Sequence, residues 1–199
     1  MEFTTVVGRR RMVRSFEQRP VPDEELQRIL DAGRRGPSAG FSQGVDFLVL
    51  RTLEELTHFW ATTEEPGWPW KEEDLAAGPP VIVLPLSNKQ AYLERYSRPD
   101  KAGTDMDVEE GWPVPYWDLD TAMAAMLMLL AAVDEGLGGW LFGIFHGERE
   151  LLDSLGVPPG IRPIGALGFG YPAAEERRQG SSRRSPRRPL DEVVHWGRW

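Results

Sequence analysis

Arg9-Arg10-Arg11-Met12-Val13-Arg14-Ser15-Phe16 and, one helix later, Gly36-Pro37-Ser38-Ala39-Gly40-Phe41-Ser42-Gln43 running into Val45-Asp46-Phe47-Leu48-Val49-Leu50 carry most of what this sequence reveals about its architecture. The first stretch concentrates guanidinium groups, which bind phosphate through bidentate, charge-assisted hydrogen bonds. Arg11 and Arg14 stand three apart, so a helical turn or a tight loop lets them converge. A solvated basic face paired with Glu17 or Asp23 fits the same spacing equally well. The second stretch places a turn of small residues between a helix end and a strand. Small side chains let backbone groups approach a planar ligand, and Ser38 adds a hydroxyl. Alone, such a turn is an everyday connection.

Working outward, Phe3 to about Arg9 reads as a short helix with Phe3, Val6 and Val7 turned inward. Pro22-Asp23-Glu24-Glu25 opens a second helix, with proline in its first turn and acids at the positive end of its dipole. Leu26, Ile29, Leu30 and Gly33 share one face of it, and Gly36-Pro37 stops it. Val45–Leu50, Val81–Leu84 and Ile164–Phe169 read as strands. Leu53–Ala61, Asn88–Tyr96, Asp120–Glu135 and Glu148–Leu155 read as helices, the third ended by Gly136-Leu137-Gly138-Gly139. Alternating strands and helices indicate a layered α/β or α+β domain. The Asp120–Glu135 helix is apolar nearly all round, so either a dimer interface or a central place in the monomer must cover it.

The chain has 199 residues, 41% of them hydrophobic and 27% charged, enough for one domain with a substantial core. A net charge of -8 disfavours nucleic acid and acidic membranes as partners. With no cysteine there is no disulfide, thiolate metal site or thiol nucleophile, which fits a cytoplasmic location. The arginines at 9–11 lack the apolar run of a twin-arginine signal, and Ala122–Val133 is too short to span a bilayer. His58, His146 and His195 are scattered, so no metal site is expected. Asp105, Asp107, Glu109 and Glu110 lack the glycine a calcium loop needs and read as a solvated acidic loop. Neither G-x-G-x-x-G nor G-x-S-x-G follows a strand in the required way.

The combination and order of these segments resembles the FMN-dependent nitroreductase family. The matching pieces are Arg10-Arg11-Met12-Val13-Arg14-Ser15-Phe16, Pro20-Val21-Pro22, Pro37-Ser38-Ala39-Gly40 with Gln43, Gly136-Leu137-Gly138, Gly156-Val157-Pro158-Pro159-Gly160, Gly168-Phe169-Gly170-Tyr171-Pro172 and Arg187-Arg188-Pro189-Leu190. Each is weak alone; seven in order, over nearly the whole chain, are not. The resemblance implies a single α+β domain over residues 1–199, a mixed central sheet flanked by helices as an α/β/α sandwich. It also implies an intertwined homodimer whose C-terminal arm, about 175–199, wraps the partner. FMN would sit at the interface, with Arg10, Arg11, Met12, Arg14 and Arg187 around its phosphate and ribityl chain. Pro37, Ser38, Ala39 and Gln43 would line the ring from the partner chain, and Leu141, Phe142, Gly143 and Ile144 would offer backbone groups to its edge. The implied activity is hydride transfer from NADH or NADPH through the flavin to an electron-poor acceptor, by a ping-pong route needing no catalytic side chain.

Three departures bear on that implication. Met12 stands for a usual serine, Phe41 for a common asparagine, and Gly44-Val45 for a frequent Pro-Trp pair. They keep open another flavin reaction on the same scaffold (dehalogenation, flavin destruction, oxidative ring formation) or a non-enzymatic flavin or deazaflavin binder. Eight tryptophans are more than a domain of this size needs. Trp70, Trp112 and Trp117, in Pro-rich loops, could wall the cavity over the flavin beside Phe41. Packing of the loops on the core is the commoner role for any one Trp.

Overall fold

A computed structural model describes residues 1–64, 78–174 and 186–199. Its first helix, α1 (Phe3–Arg9), buries Val6 alone; Phe3 and Val7 are exposed, against the expectation that all three face inward. Helix α2 (Asp23–Arg34) starts after Pro22 with three acids in its first turn, and buries Leu26, Ile29 and Gly33. Strand β1 (Val45–Leu50) runs into α3 (Leu53–Thr62) through a reciprocal cap: Glu55 N–H donates to the Thr52 hydroxyl while the Glu55 carboxylate accepts from Thr52 N–H. Strand β2 (Val81–Asn88) passes directly into α4 (Lys89–Tyr96), whose Ala91 N–H is capped by Asn88. The long helix α5 (Tyr116–Asp134) starts a turn earlier than the sequence suggested and precedes β3 (Gly138–Phe142). The chain continues through α6 (Glu148–Ser154), β4 (Ile161–Pro163), β5 (Ala166–Gly170) and α7 (Leu190–Val193).

The sheet order is β1-β2-β5-β3, with β4 also on β2, and every strand pair is antiparallel. Its parallel component is the isolated bridge Met12↔Gly139, which lays the arginine segment along β3. Sequence reasoning ended the second strand before Pro85, yet β2 continues to Asn88. Pro85 has no N–H to donate, and its carbonyl accepts from Ile164 N–H at the break between β4 and β5. The missing donor therefore falls where the neighbouring edge is already interrupted.

Alternation along β2 sorts its residues to two layers. Val81 and Val83, with Leu167 and Phe169, pack on Leu26 and Ile29 of α2 and on Ala125, Met128 and Leu129 of α5. Ile82, Leu84 and Leu86 pack on Leu56 and Phe59 of α3 and on Leu151 and Leu152 of α6. Helices thus cover both faces, an α/β/α sandwich. Phe59, Met128 and Phe169 have no exposed surface, and each such burial contributes about 1.5–3 kcal/mol. Helix α5 is the one helix among the described residues long and apolar enough to cross a membrane; here it packs on α1, α2 and the sheet. Its covering is incomplete, because Leu119, Met123 and Met126 lie exposed along one stripe.

Candidate functional site

Two segments chosen from sequence lie at opposite edges of the sheet. Arg10–Phe16 flanks β3: Val13 N–H donates to the Gly139 carbonyl at 3.0 Å, and Leu141 N–H points at Met12 Sδ at 3.4 Å. Gly138 makes this approach possible, since a Cβ there would stand 2.7 Å from Val13 Cγ2. The extended backbone alternates its side chains. Val13 is buried, and Arg11 lines a cavity of about 200 Å³ with Arg9, Val13 and Gly136–Gly138. Arg10, Met12 and Arg14 share the other parity; Arg10 and Met12 are half-buried and Arg14 is exposed.

Beyond Phe142 the strand ends, and Gly143 and Ile144 follow in irregular backbone. Among the described residues neither donates its N–H to a protein acceptor. Leu141 is partly exposed, Phe142 turns its ring into a stack with Trp60 and Trp140, and Gly143 is exposed. The arginine segment and this row of backbone donors are therefore neighbours in one chain. A phosphate with a planar, acceptor-rimmed ring is the chemistry such a pair complements.

The Pro37–Gln43 turn leads into β1, at the other edge. Four strand spacings, from β1 through β2, β5 and β3 to the Met12 segment, and about six residues along β2 separate it from Met12, a span of roughly 28 Å. Its backbone is left-handed at Gly40 (φ 59°), Phe41 (φ 55°) and Gln43 (φ 53°). The last two are uncommon for residues with side chains and hold local strain. Several bonds maintain the shape: Gln43 N–H to the Ser38 hydroxyl at 3.0 Å, the Ser42 hydroxyl to the Ala39 carbonyl at 2.6 Å, and Arg95 Nε to the Gly40 carbonyl at 2.8 Å. Pro37, Gln43 and Phe41 are exposed, Phe41 to 74%, so the turn presents an aromatic ring outward.

Asp120, which sequence reasoning did not single out as a site residue, sits behind this turn. It is 2% exposed and accepts on one carboxylate oxygen from Ala39 N–H and from the Tyr92 hydroxyl, both at 2.8 Å. Burial and the bonded Asp120 carboxylate push Tyr92 ionisation far above its ordinary range. The available signal was a carboxylate on the inward face of the otherwise apolar α5. Trp112 and Trp117 are buried around Tyr92, with Trp112 Nε1 donating to the Met106 carbonyl. Both rings pack on Tyr92 in a cluster that also takes in Tyr96 and Tyr116. Trp70 lies outside the described residues. Arg187 is exposed in the terminal segment, where Arg188 pairs with Glu192. No group of three or more metal-ligating side chains occurs among the described residues.

Several known proteins resemble this chain. A protein of Archaeoglobus fulgidus carrying an NADH dehydrogenase/NAD(P)H nitroreductase name is 27% identical over 178 residues, 88% of each chain. The FMN reductase (NAD(P)H) of Bacillus subtilis is 26% identical over 190 residues, 93% of this chain and 69% of that one. A solved nitroreductase from Desulfovibrio desulfuricans, in complex with FMN, shares the fold with a TM-score of 0.71 at 24% identity, over 98% of this chain and 95% of that one. The sequence profile of the Nitroreductase family matches residues 7–171, and the chain belongs to that family.

Proposed function

We propose that the protein is an FMN-dependent oxidoreductase acting as a homodimer, taking hydride from NADH or NADPH and delivering it to an electron-poor acceptor such as a nitro compound or a quinone. The observation that carries this is the arginine segment bonded alongside β3, whose end leaves the N–H groups of Gly143 and Ile144 without protein acceptors among the described residues. That set fits FMN: Arg10 and Arg14 would hold the phosphate, and the Gly143 and Ile144 amides would donate to the ring edge. Arg11, on the opposite parity, would stabilise the segment from behind, and Arg187 would join from the C-terminal arm. When bound, FMN supplies the relay of hydride between nicotinamide and acceptor.

The remaining roles belong to the polypeptide. The Ser38–Gln43 turn would cover the ring from the partner subunit, because within one chain it stands roughly 28 Å from Met12. A two-fold arrangement of α5 meets that need. The N-terminal half of α5 holds the turn through Asp120, and its C-terminal end leads to Gly138 beside the arginines. Antiparallel pairing of two α5 helices brings one chain's turn toward the other's arginines. Leu119, Met123 and Met126 with Phe3 and Val7 form the exposed apolar surface such pairing would bury. Leu190, Trp196 and Trp199, exposed to 76%, 89% and 98%, are the apolar groups an arm would lay on its partner. The exposed Phe41 would stack on flat substrates, and donor and acceptor using one place in turn gives ping-pong kinetics. A cytoplasmic location belongs with a soluble nicotinamide reductant.

The test is a visible-absorbance titration of the purified protein with FMN, followed by anaerobic NADH or NADPH. Stoichiometric yellow complex that bleaches with either nicotinamide and recovers with a quinone supports the proposal. A protein that binds no FMN, or binds it and is bleached by neither, refutes it.

A further inference from the structure

Asp120 does more than fill the core. Its side chain is buried at the start of α5, and its two donors come from different elements: Ala39 N–H from the turn and the Tyr92 hydroxyl from α4. Tyr92 itself has no exposed surface and is boxed by the rings of Trp112 and Trp117. Arg95, one turn further along α4, holds the Gly40 carbonyl while paired with Asp100. The ring of Tyr96 closes the inner side of the turn, 2.7 Å from where a Cβ on Gly40 would stand. A turn with three left-handed residues does not keep that shape on local preference. Here four side chains, Asp120, Tyr92, Arg95 and Tyr96, determine it from behind, and none needs to touch a ligand.

We infer that Asp120 is a positioning residue for the flavin site: through Ala39 N–H and the Tyr92 hydroxyl it sets the strained Ser38–Gln43 turn in the conformation that receives the isoalloxazine ring and displays Phe41. This rests on the FMN assignment. Loss of the carboxylate leaves two buried donors without an acceptor, and the turn relaxes to satisfy them. Asparagine, whose carbonyl oxygen can accept both bonds, retains the turn. Tyr92→Phe keeps the packed ring and removes one of the two donors, so it isolates the hydrogen bond from the volume.

The experiment compares wild type, Asp120→Ala, Asp120→Asn and Tyr92→Phe by three readouts. These are amide hydrogen exchange of Ala39–Gln43 in the FMN-free protein, the FMN dissociation constant, and the absorbance spectrum and reduction potential of bound FMN. The expected result is rapid exchange at Ala39 and a dissociation constant raised about tenfold or more in Asp120→Ala, with a shifted flavin spectrum. Asp120→Asn should stay within about threefold of wild type, and Tyr92→Phe should fall between. Should Asp120→Ala fail to fold, Tyr92→Phe against Asp120→Asn makes the same comparison. Variants that lose thermal stability but bind FMN with unchanged affinity, spectrum and potential overturn the inference and leave the FMN assignment standing. Wild-type protein that binds no FMN overturns both.

Discussion

Gly44→Ala should destabilise the protein although its backbone conformation permits alanine. Gly44 is buried at the entry to β1, and a Cβ there would lie 2.6 Å from Tyr92 Cε2, 2.8 Å from the Asn88 carbonyl oxygen and 3.0 Å from Ala91 Cβ. None of these yields cheaply. The Asn88 carbonyl and Ala91 Cβ are fixed to the helix backbone, and Tyr92 is fully buried with its hydroxyl held to Asp120. Overpacking of this kind costs about 1–3 kcal/mol. Breaking the Tyr92–Asp120 bond to make room adds about 1 kcal/mol. The reduced freedom of the unfolded chain offsets roughly 0.4–1 kcal/mol. A net loss of about 1–3 kcal/mol corresponds to a melting temperature lower by roughly 3–10 °C for a chain of this size. Urea and thermal unfolding followed by circular dichroism measure it. In a Tyr92→Ala background the cost should drop by about 1 kcal/mol, since the nearest obstacle is gone. A neutral or stabilising Gly44→Ala, or strict additivity with Tyr92→Ala, would show that Tyr92, Asn88 and Ala91 do not crowd this position. The same geometry bars a proline at this position, because Tyr92 occupies the space that its ring would need.

Two further outcomes follow from other parts of the fold. The Glu55 carboxyl accepts from the backbone N–H groups of Arg51 and Thr52, each at 2.8 Å, and these bonds hold its pKa below the ordinary carboxylate value. The unfolded chain then binds the proton more readily. The stabilisation is present above the unfolded carboxylate value and is lost as pH falls through the folded one, so Glu55→Gln should cost about 0.5–2 kcal/mol near neutrality and progressively less in acid. Equal cost at all pH values in urea denaturation would contradict this. If the site is shared as proposed, charging the exposed stripe of α5 with Met123→Glu and Met126→Glu should convert a dimer to a monomer in light scattering and weaken FMN binding more than tenfold. A monomeric wild type, or a monomeric variant with full FMN affinity, speaks against a shared site.

Much of the fold was legible because local chemistry and tertiary demand agree. Val45–Leu50 is bounded by small residues on one side and by the Thr52 cap on the other, and the acids of α2 sit where its dipole wants them. Strand β3 was not legible, for the opposite reason. Its opening glycines read as a helix terminator, whereas in the folded chain Gly138 admits Val13 and Gly139 admits Leu129. The requirement at Gly138 comes from a segment more than a hundred residues away, and that at Gly139 from the preceding helix folding back on the strand. At the site, the arginines and the small-residue turn stand out as composition. The roles of Asp120 and Tyr92 depend on burial and hydrogen bonding that no periodicity encodes. The packing of Trp112 and Trp117 around Tyr92 is likewise a tertiary fact that their Pro-rich loops do not encode.

In the proposed dimer, one flavin site takes its arginines from one chain and its ring-covering turn from the other. Subunit mixing tests it. One variant carries Arg10→Ala and Arg14→Ala. The other carries Gly40→Val, a branched side chain in left-handed backbone with Tyr96 2.7 Å from the new Cβ. Each homodimer should bind FMN poorly. After unfolding and co-refolding in equal amounts, the heterodimer should regain one intact site, seen as one FMN per two chains with wild-type affinity. Recovery of no FMN binding in heterodimers that form and fold would contradict the claim, because it would place both segments' contributions within a single chain.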